Sequence, residues 1–260
     1  MKLKALILLV FIFSACELQK VESQPMANMQ KSKIENHKSA VLVELFTSEG
    51  CSSCPPADRA LALLQKEQPN VDAEIITLAF HVDYWNNLGW KDEFSSDLFT
   101  QRQQFYARSF NLSSIYTPQM VIDGSFEAVG SNLGKVQLLI SSAAKNQKAD
   151  VDLTLVENKL QIAISNIPKH QDSTVYLAIA ENNLNSSVTR GENAGNKLEH
   201  ISVVRELKML GGLKPNDQSY KIELNPEIKS NWNKENLKIV VFVQDNKLRN
   251  VLGVNFIKPN

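Results

Sequence analysis

The sequence lacks an excess of either charge. Its 260 residues include 28 Lys and Arg and 28 Asp and Glu, so the formal net charge is +0 and the isoelectric point lies near 6.9. A nucleic-acid-binding protein normally carries a basic excess, and attachment to an anionic membrane by charge needs one too. We therefore expect neither nucleic acid as a partner nor electrostatic attachment to a membrane.

Cysteine is also scarce, because the chain contains only three: Cys16, Cys51 and Cys54. A small secreted domain held together by disulfides would have more cysteines, at wider spacing. A zinc site would need a second cysteine pair or two histidines at H-x₃₋₅-H spacing, and the sequence has neither. The histidines are scattered along the chain as His37, His81, His170 and His200. These patterns predict no cofactor.

The apolar run near the N-terminus is too short to span a membrane. It covers residues 6–13, follows two lysines and precedes small residues, which is the pattern of a secretory signal over residues 1–16. The letters FSAC at residues 13–16 resemble a bacterial lipoprotein processing site, in which the cysteine becomes the lipid-bearing first residue. We predict lipidation of Cys16 and export as a periplasmic or outer-face membrane lipoprotein, held by its lipid alone. Secretion without a lipid and a retained anchor are the alternatives.

The rest of the chain divides into three segments by pattern. Residues 17–38 are polar without periodicity, which is typical of a flexible tether. Residues 39–148 give the order strand, helix, strand, helix, strand, strand, helix, which is the thioredoxin arrangement. Residues 149–260 contain several short strands joined by polar turns. The sequence therefore predicts an α/β thioredoxin-like domain followed by a small all-β, sandwich-like domain.

The candidate chemistry centres on Cys51 and Cys54, a C-x-x-C motif between the first strand and the first helix. Unpaired N–H groups and the dipole at the start of that helix favour the thiolate of Cys51. Cys51 is therefore predicted to attack a substrate disulfide, and Cys54 to resolve the mixed disulfide. Two alternatives stay open: transfer of a soft metal such as copper(I) by the two thiolates, and an inert structural pair.

Three further residues are predicted to act with the cysteines. Pro118, in Thr117-Pro118, precedes an apolar strand and is predicted to form a cis-proline loop that aligns a peptide; an ordinary proline at a strand start is the alternative. His81 and Asp83 follow the second strand, where they are candidates for relaying protons. A structural, hydrogen-bonded His81 fits the pattern equally well. The nearby Trp85 and Trp90 are expected to pack as a cap over the helix.

The second half of the chain contains a loop rich in Gly and Asn, residues 190–200, that ends in a strand. Its polar composition predicts a solvated loop. Two alternatives are that it reaches across to the first domain or that it binds a ligand.

With these residues assembled, the chain resembles the domain of unknown function 1223 family of bacteria and plants. The matching stretches are residues 46–58 (FTSEGCSSCPPAD), 79–85 (AFHVDYW), 88–92 (LGWKD), 116–121 (YTPQMV), 190–200 and 203–205. The resemblance covers nearly all of the predicted mature chain and implies a thioredoxin-like fold with a β-rich C-terminal part. It supplies no substrate. Gly50 and Ser52-Ser53 replace the Trp and Gly-Pro of thioredoxin itself, so the direction of the redox reaction stays open.

Together these patterns predict an exported protein that exchanges thiols and disulfides through Cys51 and Cys54. Whether it is a thiol–disulfide oxidoreductase in the enzymatic sense is left open. The expected partners are exported proteins or small-molecule thiols and disulfides. A copper-binding, metal-transfer protein and a non-catalytic binding module are the rival functions.

Overall fold

The computed structural model describes residues 30–31, 39–70 and 72–259. Within this part of the chain there are three α-helices: α1 (Pro55–Glu67), α2 (Asp97–Ser109) and α3 (Leu133–Ala143). The strands are β1 (Gln30–Lys31), β2 (Ser39–Thr47), β3 (Ala73–His81), β4 (Gln119–Ile122), β5 (Phe126–Val129), β6 (Asp150–Val156), β7 (Lys159–Ser165), β8 (Ser173–Glu181), β9 (Leu184–Ser187), β10 (Lys197–His200), β11 (Val203–Leu213), β12 (Tyr220–Leu224), β13 (Leu237–Asp245) and β14 (Val251–Ile257).

An eight-stranded mixed sheet forms the centre of the molecule, with the order β14-β13-β8-β11-β3-β2-β4-β5. Strands β2 and β3 are parallel over their whole length, and β11 pairs with β3 in parallel at Val203 and Ala79. The remaining pairs of this sheet are antiparallel. A second sheet has the order β1-β6-β7-β12, and β9 and β10 form a two-stranded ribbon.

The expected fold class is wrong. The chain does not form an α/β thioredoxin-like domain followed by a small all-β domain, because one mixed sheet contains strands from before and after residue 148. The outer edge of β3 pairs with β11, and β8, β13 and β14 extend the sheet from there. An apolar run shows that a segment is extended, but it does not show which strand edge the segment will cover.

Local sequence signals nevertheless explain the individual elements. Strand β2 is buried from Ala40 to Thr47, as a central strand covered on both faces requires, and its apolar run reflects this. Helix α1 begins with two prolines, which are suited to a first turn whose N–H groups have no helical partner. Ser96 caps α2 by accepting a hydrogen bond from Leu98 N. Strands β6 and β7 pair as an antiparallel hairpin around the turn at residues 157–158.

Three clusters of apolar side chains hold the helices and the two larger sheets together. One packs α1 and α3 against the large sheet around Leu45, Leu61 and Ile140. Another surrounds Phe80 and includes Phe99 and Tyr106 of α2. The third joins the four-stranded sheet to strands β8, β13 and β14. The loop between β2 and α1 therefore starts from a rigid, buried strand end. Among the described residues, no helix is both long and apolar enough to cross a lipid bilayer.

Candidate functional site: a covered disulfide and a buried histidine–carboxylate cluster

Cys51 and Cys54 form a disulfide, with their Cα atoms 5.4 Å apart. They lie between β2 and α1, where the sequence analysis expects them. The loop is tight, because Cys51 N donates to Ser48 O at 3.2 Å and Cys54 N donates to Cys51 O at 3.1 Å. Cys54 stands immediately before Pro55, the first residue of α1. The pair is thus held at the positive end of the helix dipole.

Both cysteines are fully buried, with 0% exposure, whereas Ser52 and Ser53 between them are exposed. The segment that contains them is bound by a loop from a distant part of the chain.

We call this loop, residues 190–196, the strap. Asn193 Nδ2 donates to the carbonyl oxygens of Glu49, at 2.8 Å, and Cys51, at 3.0 Å. Glu192 Oε2 accepts hydrogen bonds from Ser52 N, at 3.0 Å, and Ser52 Oγ, at 2.7 Å. The expectation that this loop is simply solvated is therefore wrong. The alternative, that it reaches across to the first half of the chain, is confirmed.

Glycine allows the strap to approach the tryptophan beside the cysteines. Gly191 has φ +77°, and an added Cβ would lie 3.2 Å from Trp90 Cβ. At Gly50, next to Cys51, an added Cβ would lie 3.0 Å from Trp85 Cβ. A side chain at either position would push a tryptophan out of place, so these two glycines let the loops close around the disulfide.

A buried cluster of two histidines and two carboxylates lies next to the disulfide loop. We call it the histidine–carboxylate cluster: Glu49, His81, Asp92 and His200, each no more than 3% exposed. His81 Nδ1 is 2.7 Å from Asp92 Oδ2, and His200 Nε2 is 3.1 Å from Glu49 Oε1. The cluster combines residues of both halves of the chain.

Further hydrogen bonds fix the carboxylates of this cluster. Asp92 accepts from the backbone N–H groups of Glu49 and Phe94, both at 2.9 Å. Trp90 Nε1 donates to the second oxygen of Glu49 at 2.7 Å. The rings of His81 and His200 meet edge to face, with their centroids 5.0 Å apart. In the described residues, His81 Nε2 and His200 Nδ1 have no hydrogen-bond partner.

These contacts set the protonation of the cluster. Burial raises the pKa of Asp92, but the charge and hydrogen bond of His81 and two backbone N–H groups outweigh it, so this pKa is lowered. Burial also raises the pKa of Glu49, and the His200 hydrogen bond turns the net change into a lowering. Burial lowers the pKa of His81, but Asp92 raises it above its usual value. The dyad of His81 and Asp92 is therefore shifted towards its charged form.

Asp58 connects the disulfide to this cluster. It lies one helical turn after Cys54, whose carbonyl oxygen accepts its N–H at 3.1 Å. Thr47 Oγ1 donates to its carboxylate at 2.9 Å. Burial raises the pKa of Asp58, although the charges of His200 and His81 act in the opposite direction. A carboxyl group of this kind can hold or release a proton beside a thiol.

The other residues predicted for the site are placed differently. The Thr117–Pro118 peptide is cis, as predicted, and Trp85 Nε1 donates to Thr117 Oγ1 at 2.9 Å. Trp85 thereby links the proline loop to Gly50. The carboxylate of Asp83 instead accepts a 2.6 Å hydrogen bond from Thr100 in α2. The structure thus brings the cysteines, His81 and the Pro118 loop together, and directs Asp83 towards α2.

Five site residues were not among those predicted from the sequence: Glu49, Asp58, Asp92, Asn193 and His200. Glu49 and Asp58 lie within four residues of a cysteine, and this closeness in sequence was the available signal. Nothing local marks Asn193 as a contact of Cys51, because 142 residues separate them. The described residues contain no group of three or more His, Cys, Asp or Glu arranged to hold a metal ion. Cys16 lies outside them, so its lipidation stays a prediction.

Comparison with known proteins identifies a family and a fold. A family model described as "Protein of unknown function (DUF1223)" matches residues 42–244. The search of curated proteins gave no match. The crystal structure of protein AGR_C_4864 from Agrobacterium tumefaciens is similar, with a TM-score of 0.70 and 22% sequence identity over 87% of this chain and 97% of that one. At this identity the likeness supports the fold alone.

Proposed function

The chain belongs to the DUF1223 family, whose function is unknown, and from the geometry of its site we propose that it exchanges thiols and disulfides through Cys51 and Cys54. The observation that carries the proposal is the position of this disulfide. It lies at the start of α1, beside a cis-proline loop and a partly buried acid, Asp58. A disulfide that served only stability would close a longer loop, because the stabilisation grows with loop length.

The reaction needs no cofactor. A substrate thiolate attacks Cys51 Sγ, the bond between Cys51 and Cys54 breaks, and its electron pair remains on Cys54. A second substrate thiolate then displaces Cys51, which leaves two protein thiols and a substrate disulfide. Two electrons pass from the substrate to the protein, and the reverse direction uses the same steps. N–H groups in the first turn of α1 favour the thiolate in either direction.

Asp58 is the group that we propose to exchange a proton with Cys54. Residues four positions apart on a helix share a face, and Cys54 already has helical backbone angles before α1. Burial raises the pKa of Asp58, so its carboxyl group is protonated more often than that of an exposed aspartate and can give this proton to the leaving thiolate. We expect Asp58→Asn to slow exchange while leaving the disulfide able to form.

The strap makes access the first step of the reaction. Since both sulfurs are buried, a partner reaches Cys51 only after Asn193 releases the carbonyl oxygens of Glu49 and Cys51. Opening of this loop therefore precedes exchange, and its rate limits how fast large substrates react.

The experiment that tests the proposal is a measurement of the reduction potential of Cys51–Cys54 in the full chain, by glutathione equilibration, alkylation and mass analysis. A value between about −120 and −270 mV would place the pair among exchange-active proteins. A value below about −300 mV would mark a structural disulfide and contradict the proposal.

A matched pair of variants tests the separate roles. Cys54→Ser should accumulate a mixed disulfide between Cys51 and glutathione, because the resolving thiol is gone. Cys51→Ser should form roughly tenfold less of it, since we assign Cys51, whose thiolate the N–H groups at the helix start favour, as the nucleophile. Equal amounts in the two variants would contradict the assignment of Cys51 as the nucleophile.

We place this exchange outside the cytoplasm, with exported proteins or small thiols as partners. The support is the signal pattern over residues 1–16 and the lipoprotein-like site at Cys16. Cys16→Ala should move the protein from the membrane fraction to the soluble fraction of cells. An unchanged distribution would contradict lipid anchoring at this residue.

A further inference from the structure

A cavity of about 540 Å³ lies at the other end of α1 from the disulfide. Its wall is formed by the last turn of α1, the start of β3 and the adjoining ends of β13 and β14. α1 is 13 residues long, so the cavity and the disulfide are roughly 20 Å apart. Pockets of about 300 to 1,000 Å³ are typical of small-molecule sites. Ile75, Ile76 and Phe256 give this one an apolar part.

Lys238 of β13 lines this cavity, yet only 5% of the residue is exposed. Its Nζ is held by three neutral oxygens: Ser202 Oγ at 2.8 Å, Gln65 Oε1 at 2.9 Å and Thr77 Oγ1 at 3.2 Å. We call these four residues the lysine cluster. A buried ammonium is normally paired with a carboxylate, and hydrogen bonds to neutral oxygens compensate its lost hydration less well.

The cavity wall also carries charged groups, of which Lys258 adds to this effect. Lys66 of α1 and Lys258 after β14 line the same wall, with Glu74 of β3 as its carboxylate. Burial and the nearby charge of Lys258 lower the pKa of Lys238 to about 7. A large fraction of the amine is therefore neutral and nucleophilic at neutral pH.

We propose that Lys238 is a reactive amine and that the cavity takes a small carbonyl compound with an anionic group, which Lys238 binds as an imine. The neutral amine attacks the carbonyl carbon, a C–N bond forms, and the carbonyl oxygen leaves as water, so no oxidant or reductant is needed. The hydroxyl groups of Thr77 and Ser202 are within 3.2 Å of Nζ, where they can pass the protons that this step requires.

The anionic group follows from the lysines of the wall. Lys66 and Lys258 both line the cavity, and their side chains reach solvent. They therefore favour a ligand that carries a carboxylate or phosphate next to its carbonyl group. The apolar part of the wall would contact the remainder of the ligand.

The test uses the full chain and pyridoxal 5′-phosphate, an aldehyde with a phosphate, followed by borohydride reduction and peptide mass mapping. Lys214, whose side chain is 82% exposed, serves as the internal reference for an ordinary amine. At pH 7 we expect Lys238 to be labelled at least about tenfold more than Lys214, because an ordinary lysine is almost entirely protonated at that pH. In urea this preference should disappear. Equal or weaker labelling of Lys238 in the folded protein would overturn the proposal.

Two variants separate reactivity from mere accessibility. Lys258→Gln keeps the amine of Lys238 but removes the neighbouring charge, so labelling of Lys238 at pH 7 should fall severalfold relative to Lys214. In the wild type, Lys238 labelling should level off above about pH 8, while Lys214 labelling keeps rising. Lys238→Arg should lose the preferred site and keep the labelling of Lys214. If Lys238 followed the same pH profile as Lys214, the proposal would be wrong.

Discussion

The two ends of α1 contain two buried polar clusters whose charges are surrounded differently. In the histidine–carboxylate cluster each carboxylate faces an imidazole and at least one N–H donor. In the lysine cluster the cation faces only hydroxyl and amide oxygens. The charged groups of both clusters are almost fully excluded from water, so burial alone does not explain how the clusters differ.

The difference shows that the partner determines the protonation of a buried group. Asp92 and Glu49 are deeply buried, yet their pKa values are lowered, because their partners outweigh the cost of burial. Lys238 has no such compensation, and its pKa is lowered towards the neutral amine. The histidine–carboxylate cluster therefore stabilises charged side chains. The lysine cluster instead contains a group whose pKa lies close to neutral pH.

The largest expected effect is the loss of a partner in the histidine–carboxylate cluster. Asp92→Ala leaves His81 and two backbone N–H groups buried without their acceptor, and we expect it to lower the free energy of unfolding by about 3–5 kcal/mol. Urea unfolding near pH 6 measures this. Asp152→Asn, on the exposed face of β6, is the control and should leave the urea midpoint unchanged. Similar midpoints for the two variants would contradict the importance given to this cluster.

The second effect concerns the pH dependence of stability. The pKa of Lys238 is about 7 in the folded chain and 10.5 as its ordinary value, so between these limits the unfolded chain binds more protons. Stability contributed by this group therefore rises as the pH increases from about 7 to 10.5, by roughly 2–4 kcal/mol. In Lys238→Met this rise should be missing, and the difference between the two unfolding curves isolates it. A parallel pH dependence of both proteins would show that Lys238 is not neutral at pH 7.

The third effect concerns the cover of the disulfide. Asn193→Ala removes two hydrogen bonds between the strap and the cysteine loop, each worth about 1 kcal/mol. We expect Cys51–Cys54 to be reduced by dithiothreitol roughly tenfold faster in this variant. Asn196→Ala, at an exposed position of the same strap, is the matched control and should react like the wild type. Identical rates for both variants would mean that the strap does not limit access.

The smallest effect is expected from the exposed contact of the strap. Glu192 is a surface residue, so solvent screens its hydrogen bonds to Ser52. Glu192→Gln should change the rate of reduction by less than about twofold. An effect as large as that of Asn193→Ala would show that Glu192, and not Asn193, makes the main contact of the strap.

The parts of the molecule that sequence predicts are the local ones. The helical segment after Cys54, the strand that leads to Cys51 and the cis peptide before Pro118 each depend on signals within a few residues. The approach of His81 to the cysteine loop also follows, because parallel strands β2 and β3 end at the same edge.

The parts that sequence misses depend on which segments meet. Val203 of β11 pairs with Ala79 of β3, and no local pattern specifies that edge. The same holds for His200, which meets Glu49 across 151 residues. His200 and Asn193 therefore looked like members of a polar loop, although both are buried at the site. A short apolar run predicts that a segment is a strand, but it does not predict which strand will pair with it. In this protein the strand pairing determines which residues meet at the site.

The separation of Cys51 and Asn193 along the chain affects the order in which they become available during synthesis. A protein that emerges N-terminus first presents its cysteine pair 142 residues before the amide that covers it. At about 5–20 residues per second, the interval is on the order of 10 s. Throughout it the sulfurs meet whatever oxidants and thiols surround the nascent chain. The strap docks last, so we expect the Cys51–Cys54 bond to form before the strap restricts access to it.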